Sequence, residues 1–112
     1  MMNVKLKQKS RKYPDLTPGQ PYSVIGIEAD AFRILNDLGR PFLFPKSLFA
    51  LLDKTEPGDW LTEFGEDGER YSYPVPLNTP GFFEDFFDNK RKAVTVFWRV
   101  VNGRLASREN VA

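Results

Sequence analysis

Hydrophobic and polar residues alternate from the start of the chain. Val4 and Leu6 fall on one side and Lys5 and Lys7 on the other, which predicts a half-buried strand over residues 2–7 with a wet, basic face. Residues 8–21 are rich in Lys, Pro, Gly and Ser and read as loop. Within them Thr17-Pro18-Gly19-Gln20 has the composition of a tight turn, proline presetting φ and glycine accepting a positive φ. Tyr22 to Glu28 is β-rich, and Gly26 inside it suggests a bulge or a close backbone crossing. A bend at Ala29-Asp30 leads to a strand over 32–36. Asp37-Leu38-Gly39 turns the chain, and 41–44 form the next strand, begun by a proline. Residues 13–49 thus read as a β-meander.

Beyond Pro45 the pattern changes. Leu48, Leu51 and Leu52 stand at helical spacing, which predicts a helical turn over 46–52 facing the sheet, with Phe49 nearby. Glu56-Pro57-Gly58 ends it. Strands over 60–64 and 70–73 flank a polar turn at 65–69. After a loop over 74–81, Thr79 is placed to cap a short helix that starts near Pro80 and continues through Phe82 to Asp88, in which Phe82/Phe86 and Phe83/Phe87 are i,i+4 pairs. Residues 93–101, AVTVFWRVV, have the composition of the strongest strand in the chain, and a strand would send Phe97 and Trp98 to opposite faces. Residues 102–105 then turn back and 106–112 fray. The sum is one domain over 1–112 that is mainly β: a small, partly open barrel or strongly bent antiparallel sheet with one or two short helices.

Composition narrows the chemistry. Aromatic residues make up 14% of the chain and ten of them are Phe, so rings carry much of the burial. Cysteine is absent, which excludes disulfides, thiolate metal sites and cysteine nucleophiles. Histidine is absent too, which removes the commonest general base and metal ligand. The Ser and Thr residues therefore lack a base partner, and neither an enzyme nor a cofactor is expected. No apolar run reaches the ~18 residues of a membrane span, and no hydrophobic stretch follows the basic start, so a cytoplasmic location is expected.

Three segments, Leu16–Gly26, Phe32–Gly39 and Phe42–Phe49, together resemble small, mostly uncharacterised SH3-like barrel proteins of bacteria and phages. In these an LT-x-G-x-x-Y-x-V strand start is followed by a Y/F-R-I-x-(N/D)-D-x-G hairpin and a (Y/F)-L-(Y/F)-P-K-x-x-F turn. The resemblance covers residues 16–49. It implies an SH3-like fold and a binding or accessory role, and it brings no catalytic residues.

Net charge is only +1, but its layout is uneven. Residues 1–12 carry five cations and no acid, residues 53–88 ten acids against two cations, and residues 89–108 six cations and no acid. The leading candidate site is aromatic: Phe82, Phe83, Phe86 and Phe87 cover more than one helix face, and with Trp60 and Trp98 they compose a protein-binding surface rimmed by charge, suited also to a homodimer. The expected function is a non-catalytic protein-binding or accessory module, a toxin-neutralising role being one version. The alternative is nucleic-acid binding on Lys5, Lys7, Lys9, Arg11 and Lys12, with Lys90-Arg91-Lys92 and stacking rings from Tyr13, Phe97 or Trp98. The acidic stretch 53–69 has the charge of a local nucleic-acid mimic. Glu84, Asp85 and Asp88 suit a solvated helix face; their spacing matches no dedicated metal loop, and an enzyme built on Glu84 or Asp88 is the second alternative.

Overall fold

Seven strands and two helices follow one another along the chain: β1 (Asn3–Leu6), β2 (Pro21–Glu28), β3 (Ala31–Leu35), β4 (Pro41–Pro45), β5 (Phe49–Asp53), β6 (Trp60–Phe64), β7 (Arg70–Pro74), α1 (Phe82–Phe87) and α2 (Arg91–Glu109). Single 3-10 turns occupy Lys46–Leu48 and Val75–Leu77. The computed structural model describes residues 2–109. All named strand pairs are antiparallel. The sheet runs β4-β3-β2-β1-β5 without closing, and the β6–β7 hairpin joins it through β7.

The bend that organises this sheet lies in β2. One edge of β2 pairs with β3; the other is divided, residues 21–23 pairing with β1 and Ile27-Glu28 with β7. The register against β3 slips between Val24 and Gly26. One extra residue reverses the side-chain phase. Tyr22, Val24 and Ile27 therefore enter one core and Ile25 enters another. Gly26 is required at this point because Tyr73 crosses it: a β-carbon there would lie 2.2 Å from Tyr73 Cε1. The bulge-or-crossing alternatives raised by Gly26 are both present.

The first core fills the bend with Val4, Leu6, Leu16, Val24, Ile27 and Ile34 and the rings of Phe32, Phe44 and Phe49. The second lies between the opposite face and the helices, and contains Ile25, Tyr73, Leu77, Phe82, Phe86, Ala93, Phe97 and Val101.

Several local expectations are corrected. Residues 93–101 are helical, not a strand. In AVTVFWRVV one alternating set, Val94, Val96, Trp98 and Val100, is wholly apolar, and the other mixes Thr95 and Arg99 with Ala93, Phe97 and Val101, so neither set makes a polar strand face. Ala93, Phe97 and Val101, at i, i+4 and i+8, are the buried stripe. Helix propensity costs a β-branched residue only about half a kcal/mol, whereas burying a large apolar side chain returns ~1.5–3 kcal/mol. Phe97 and Trp98 accordingly do not oppose each other across a sheet; their rings meet edge to face at 5.0 Å. Residues 102–105 continue this helix rather than turning back, and it runs to Glu109 where fraying was expected; residues 110–112 lie outside the described residues.

The helical turn of 46–52 stops at Leu48. Phe49 is extended and pairs with Leu6, entering the first core, so 49–53 become β5 and Leu51 and Leu52 are exposed instead of facing the sheet. Thr79 does not cap α1 through its hydroxyl; the N-cap is Gly81, with no side-chain cap bond. The end of α1 is closed by its backbone. Asn89 N–H donates to Phe86 O and Lys90 N–H to Asp85 O, both at 3.0 Å, with Asn89 at φ 58°. This is a Schellman closure with asparagine in the left-handed position.

Ala29, in the β2–β3 turn, is also left-handed at φ 51°. A β-carbon there costs about 1 kcal/mol or more. Ala29→Gly is expected to raise stability by up to about 1 kcal/mol, read as a higher urea midpoint at unchanged m-value. A lower midpoint would show that the turn is not strained.

Candidate functional site

The turn before β2 and the turn after β3 come together because β2 and β3 are neighbours. Gly19 at φ 79° and the Gln20 N–H to Thr17 O bond of 3.3 Å bring Thr17 back over β2. After β3, Asn36 is buried and its Oδ1 accepts from the N–H groups of Leu38 and Arg40, both at 3.0 Å. Asp37 N–H donates to Asp15 O at 2.8 Å. Asp37 is thereby held facing Tyr22. The Tyr22 hydroxyl donates to Asp37 Oδ1 at 2.6 Å and accepts from Thr17 N–H at 2.7 Å; Thr17 Oγ1 donates to Asp37 Oδ2 at 2.7 Å.

This cluster forms one wall of a cleft of about 670 Å³. The opposite wall is apolar, with Leu77 from the second 3-10 turn and Val100 and Val101 from α2. Arg104 closes one end, its Nη2 donating to both carboxylate oxygens of Asp59 at 2.7 and 2.6 Å. The cleft thus offers a fixed hydrogen-bonding wall centred on a carboxylate, facing a wall that takes apolar side chains.

A second polar cluster lies buried between sheet and helices. Arg33 is 6% exposed. Its Nε donates to the Tyr73 hydroxyl at 2.6 Å, Nη1 to Pro41 O at 2.7 Å and Nη2 to Glu28 Oε2 at 2.6 Å. Tyr73 donates to the same Glu28 oxygen at 2.5 Å, and the guanidinium sits 3.8 Å from the centre of the Phe83 ring. Each of the three guanidinium nitrogens has a hydrogen-bond partner, as a buried charge requires.

Burial pushes the phenols of Tyr22 and Tyr73 above the ordinary tyrosine value. The neighbouring Asp37 adds to the rise at Tyr22; at Tyr73 the bond to Glu28 adds to it while the Arg33 charge opposes it. The folded chain therefore keeps two protons that the unfolded chain releases above pH of about 10. Stability is expected to be unaffected by these groups below that pH and to fall as pH rises through it. Urea titrations between neutral and strongly alkaline pH check this; a flat profile for wild type, or the same slope in Tyr22→Phe, would contradict the Tyr22 contribution.

The aromatic residues predicted as a protein-binding surface occupy several environments. Phe82 and Phe86 are buried in the second core. Phe83 is half-buried beneath Arg33 and beside Tyr73, whose ring centre is 5.3 Å away. Phe87 is half-buried and stacked on Phe42 at 5.3 Å, with Arg40 5.5 Å above it. Trp98 is half-buried against Phe97. Trp60 packs against the first core, apart from the other five, and its indole N–H has no hydrogen-bond partner among the described residues.

Lys5, Lys7, Lys9, Arg11 and Lys12 are all exposed along β1 and the loop after it, and none forms an ion pair among the described residues. Lys9 Nζ reaches Pro14 O at 3.4 Å, and Lys12 Nζ lies 5.6 Å over Tyr13. The acidic stretch is partly paired internally: Glu56 receives a two-pronged bond from Arg70, which lowers its carboxyl below the usual range, and Asp59 is held by Arg104. Glu84 and Asp88 are exposed, and Asp85 pairs with Lys90 at 3.1 Å. No group of three potential metal ligands occurs among the described residues, and no helix there is long and apolar enough to cross a membrane.

Sequence inspection missed both polar clusters. Thr17 and Asp37 read as turn residues, and their partnership spans 20 positions. For the other cluster one signal was available: Arg33, a charge between the apolar strand residues Phe32 and Ile34. In comparisons with known proteins the chain matches no family model, no curated protein and no solved structure. What is defined is a class: a small, mainly β protein whose open seven-stranded sheet carries a helical pair on one face.

Proposed function

We propose that this chain is a non-catalytic binding module, an SH3-like barrel extended by a β-hairpin and two helices, that holds a segment of a partner protein in the cleft between barrel and α2. The fold name is supported by the meander β2-β3-β4, by the return of β5 to β1, and by the sharing of bent β2 between the two halves. The observation that carries the function is the cleft itself. Its volume is that of a ligand site. Its two walls match the two faces of a peptide segment, apolar side chains against Leu77 and Val100, and backbone N–H groups or a cationic side chain toward Asp37.

Selection of a displayed random-peptide library on the immobilised protein tests this. Enriched peptides are expected to shift the backbone amide signals of Tyr22 and Asp37. They are expected to bind at least about tenfold more weakly to Gln20→Trp, which places a large ring at the exposed rim. Peptides that bind Gln20→Trp as well as wild type would overturn the assignment.

Nucleic-acid binding is the alternative, favoured by the five exposed cations of residues 5–12, none of which forms an ion pair among the described residues. It requires single-strand affinity that falls with salt and falls again in Lys5→Ala, Lys7→Ala and Arg11→Ala together. Affinity indifferent to those changes excludes it.

A further inference from the structure

We infer that the free edge of β6 is a second docking surface, one that accepts a basic, extended strand of a partner protein as an added strand of the sheet. Among the described residues β6 pairs on one side only, with β7, over five residues in unbroken register. The orientation of its backbone follows from the hairpin turn. Gly65 N–H donates to Glu69 O at 2.8 Å, so Gly65/Glu69 is a hydrogen-bonded pair. Alternation then makes Glu63/Tyr71 and Leu61/Tyr73 bonded pairs, and Thr62/Ser72 and Trp60/Pro74 non-bonded ones. Two features agree: Pro74 has no N–H to offer, and the Thr62 and Ser72 hydroxyls stand 2.8 Å apart, as in the closer, non-bonded type of pair. The N–H and C=O groups of Thr62 and Phe64 consequently face away from β7. Trp60 N–H turns to Pro57 O at 3.3 Å.

The sheet has two other edges, and both are blunted. β4 has proline at each end, Pro41 and Pro45. The register of β5 against β1 breaks between Asn3 and Val4, and such a bulge turns an edge away from a would-be partner. β6 contains neither proline nor lysine nor a bulge. Its side chains are open on both faces from Leu61 to Phe64, and Phe64 is 70% exposed.

Charge selects the occupant. Glu63 on the strand and Glu66 and Asp67 in the turn are exposed, and Arg70, opposite Phe64 in the hairpin, is engaged by Glu56. A second copy of this chain would set the same acids against one another. A strand that alternates basic and apolar residues would place a cation against Glu63 on one face and apolar side chains against Trp60 and Phe64 on the other.

The probe is a blocked peptide of alternating lysine and valine, titrated into the ¹⁵N-labelled full chain at low salt, with a glutamate-valine peptide as control. The lysine peptide is expected to shift the Thr62 and Phe64 amides and to slow their hydrogen exchange by about tenfold or more, while the glutamate peptide does neither. Thr62→Pro removes an outward N–H that β7 does not use and is expected to abolish the effect; Glu63→Lys is expected to weaken binding several-fold. Alternate N-methylation of the peptide, which deletes its edge-facing donors without touching the protein, is expected to abolish binding whatever the fate of the variants. Binding that survives N-methylation, shifts confined to other residues, or concentration-dependent shifts of Thr62 and Phe64 without peptide would each overturn the proposal, the last by assigning the edge to self-association. Gln20→Trp leaves this edge intact, so failure of the cleft assignment and failure of this one are separable.

Discussion

Arg33→Met is expected to lower the free energy of unfolding by about 3 kcal/mol or more. The guanidinium satisfies three acceptors at once, the Tyr73 hydroxyl, Pro41 O and Glu28 Oε2, and covers the Phe83 ring. Methionine fills similar space but leaves Glu28 without its counter-charge and a buried carbonyl without a donor. The Glu28 side chain is 30% exposed, so water partly rescues it, and the loss belongs at the lower end of the range for a broken buried pair. The double variant Glu28→Gln/Arg33→Met is expected to recover part of that loss, because the unpaired charge is gone. Urea denaturation of the four proteins of this cycle measures both numbers. A single-variant loss under about 1 kcal/mol would mean that the network behaves as a solvated surface pair.

Phe97→Ala is expected to cost about 3–5 kcal/mol, which in a domain of ordinary stability leaves little fold. Phe97 is fully buried (0% exposed) and is the hub of the second core, with ring centres of Phe86 at 4.6 Å, Trp98 at 5.0 Å and Phe83 at 6.0 Å. Thr95→Ala, on the exposed face of the same helix, is expected to change stability by about 0.5 kcal/mol or less. The pair also tests the helical assignment. In a strand, residues 95 and 97 would share a face and both substitutions would be felt; on α2 they lie about 160° apart. Equal costs for the two would contradict the helix.

Legibility along the chain depended on how local the cause was. β1 to β4 read correctly because alternation, Gly19, Gly39 and the prolines act within a few residues. The β6–β7 hairpin and α1 read correctly for the same reason: a glycine-bounded polar turn and two i,i+4 phenylalanine pairs are local signals. β5 was misread because three leucines at helical spacing are equally an edge strand once Phe49 has a core to enter. α2 was misread because β-branched composition argues for a strand only while nothing else decides, and the exposed face of a sheet needs a helix to cover it. The walls of the cleft were not legible at all. Tyr22, Asp37, Leu77 and Val100 come from four elements, and each has an ordinary local explanation.

By itself the sequence determined that this is a mainly β chain with aromatic burial, without thiol or imidazole chemistry, and with five cations and no acid in its first twelve residues. Only the tertiary structure decided which rings are buried, that residues 91–109 are helical, and that Tyr22 and Asp37 face Val100 across a cleft. The division has one physical cause. Turns, alternation and composition act over a few residues and are written in local order. Burial and the cleft arise when segments distant along the chain pack, and their energies, several kcal/mol for a core ring against tenths for a local propensity, override whatever the local pattern prefers.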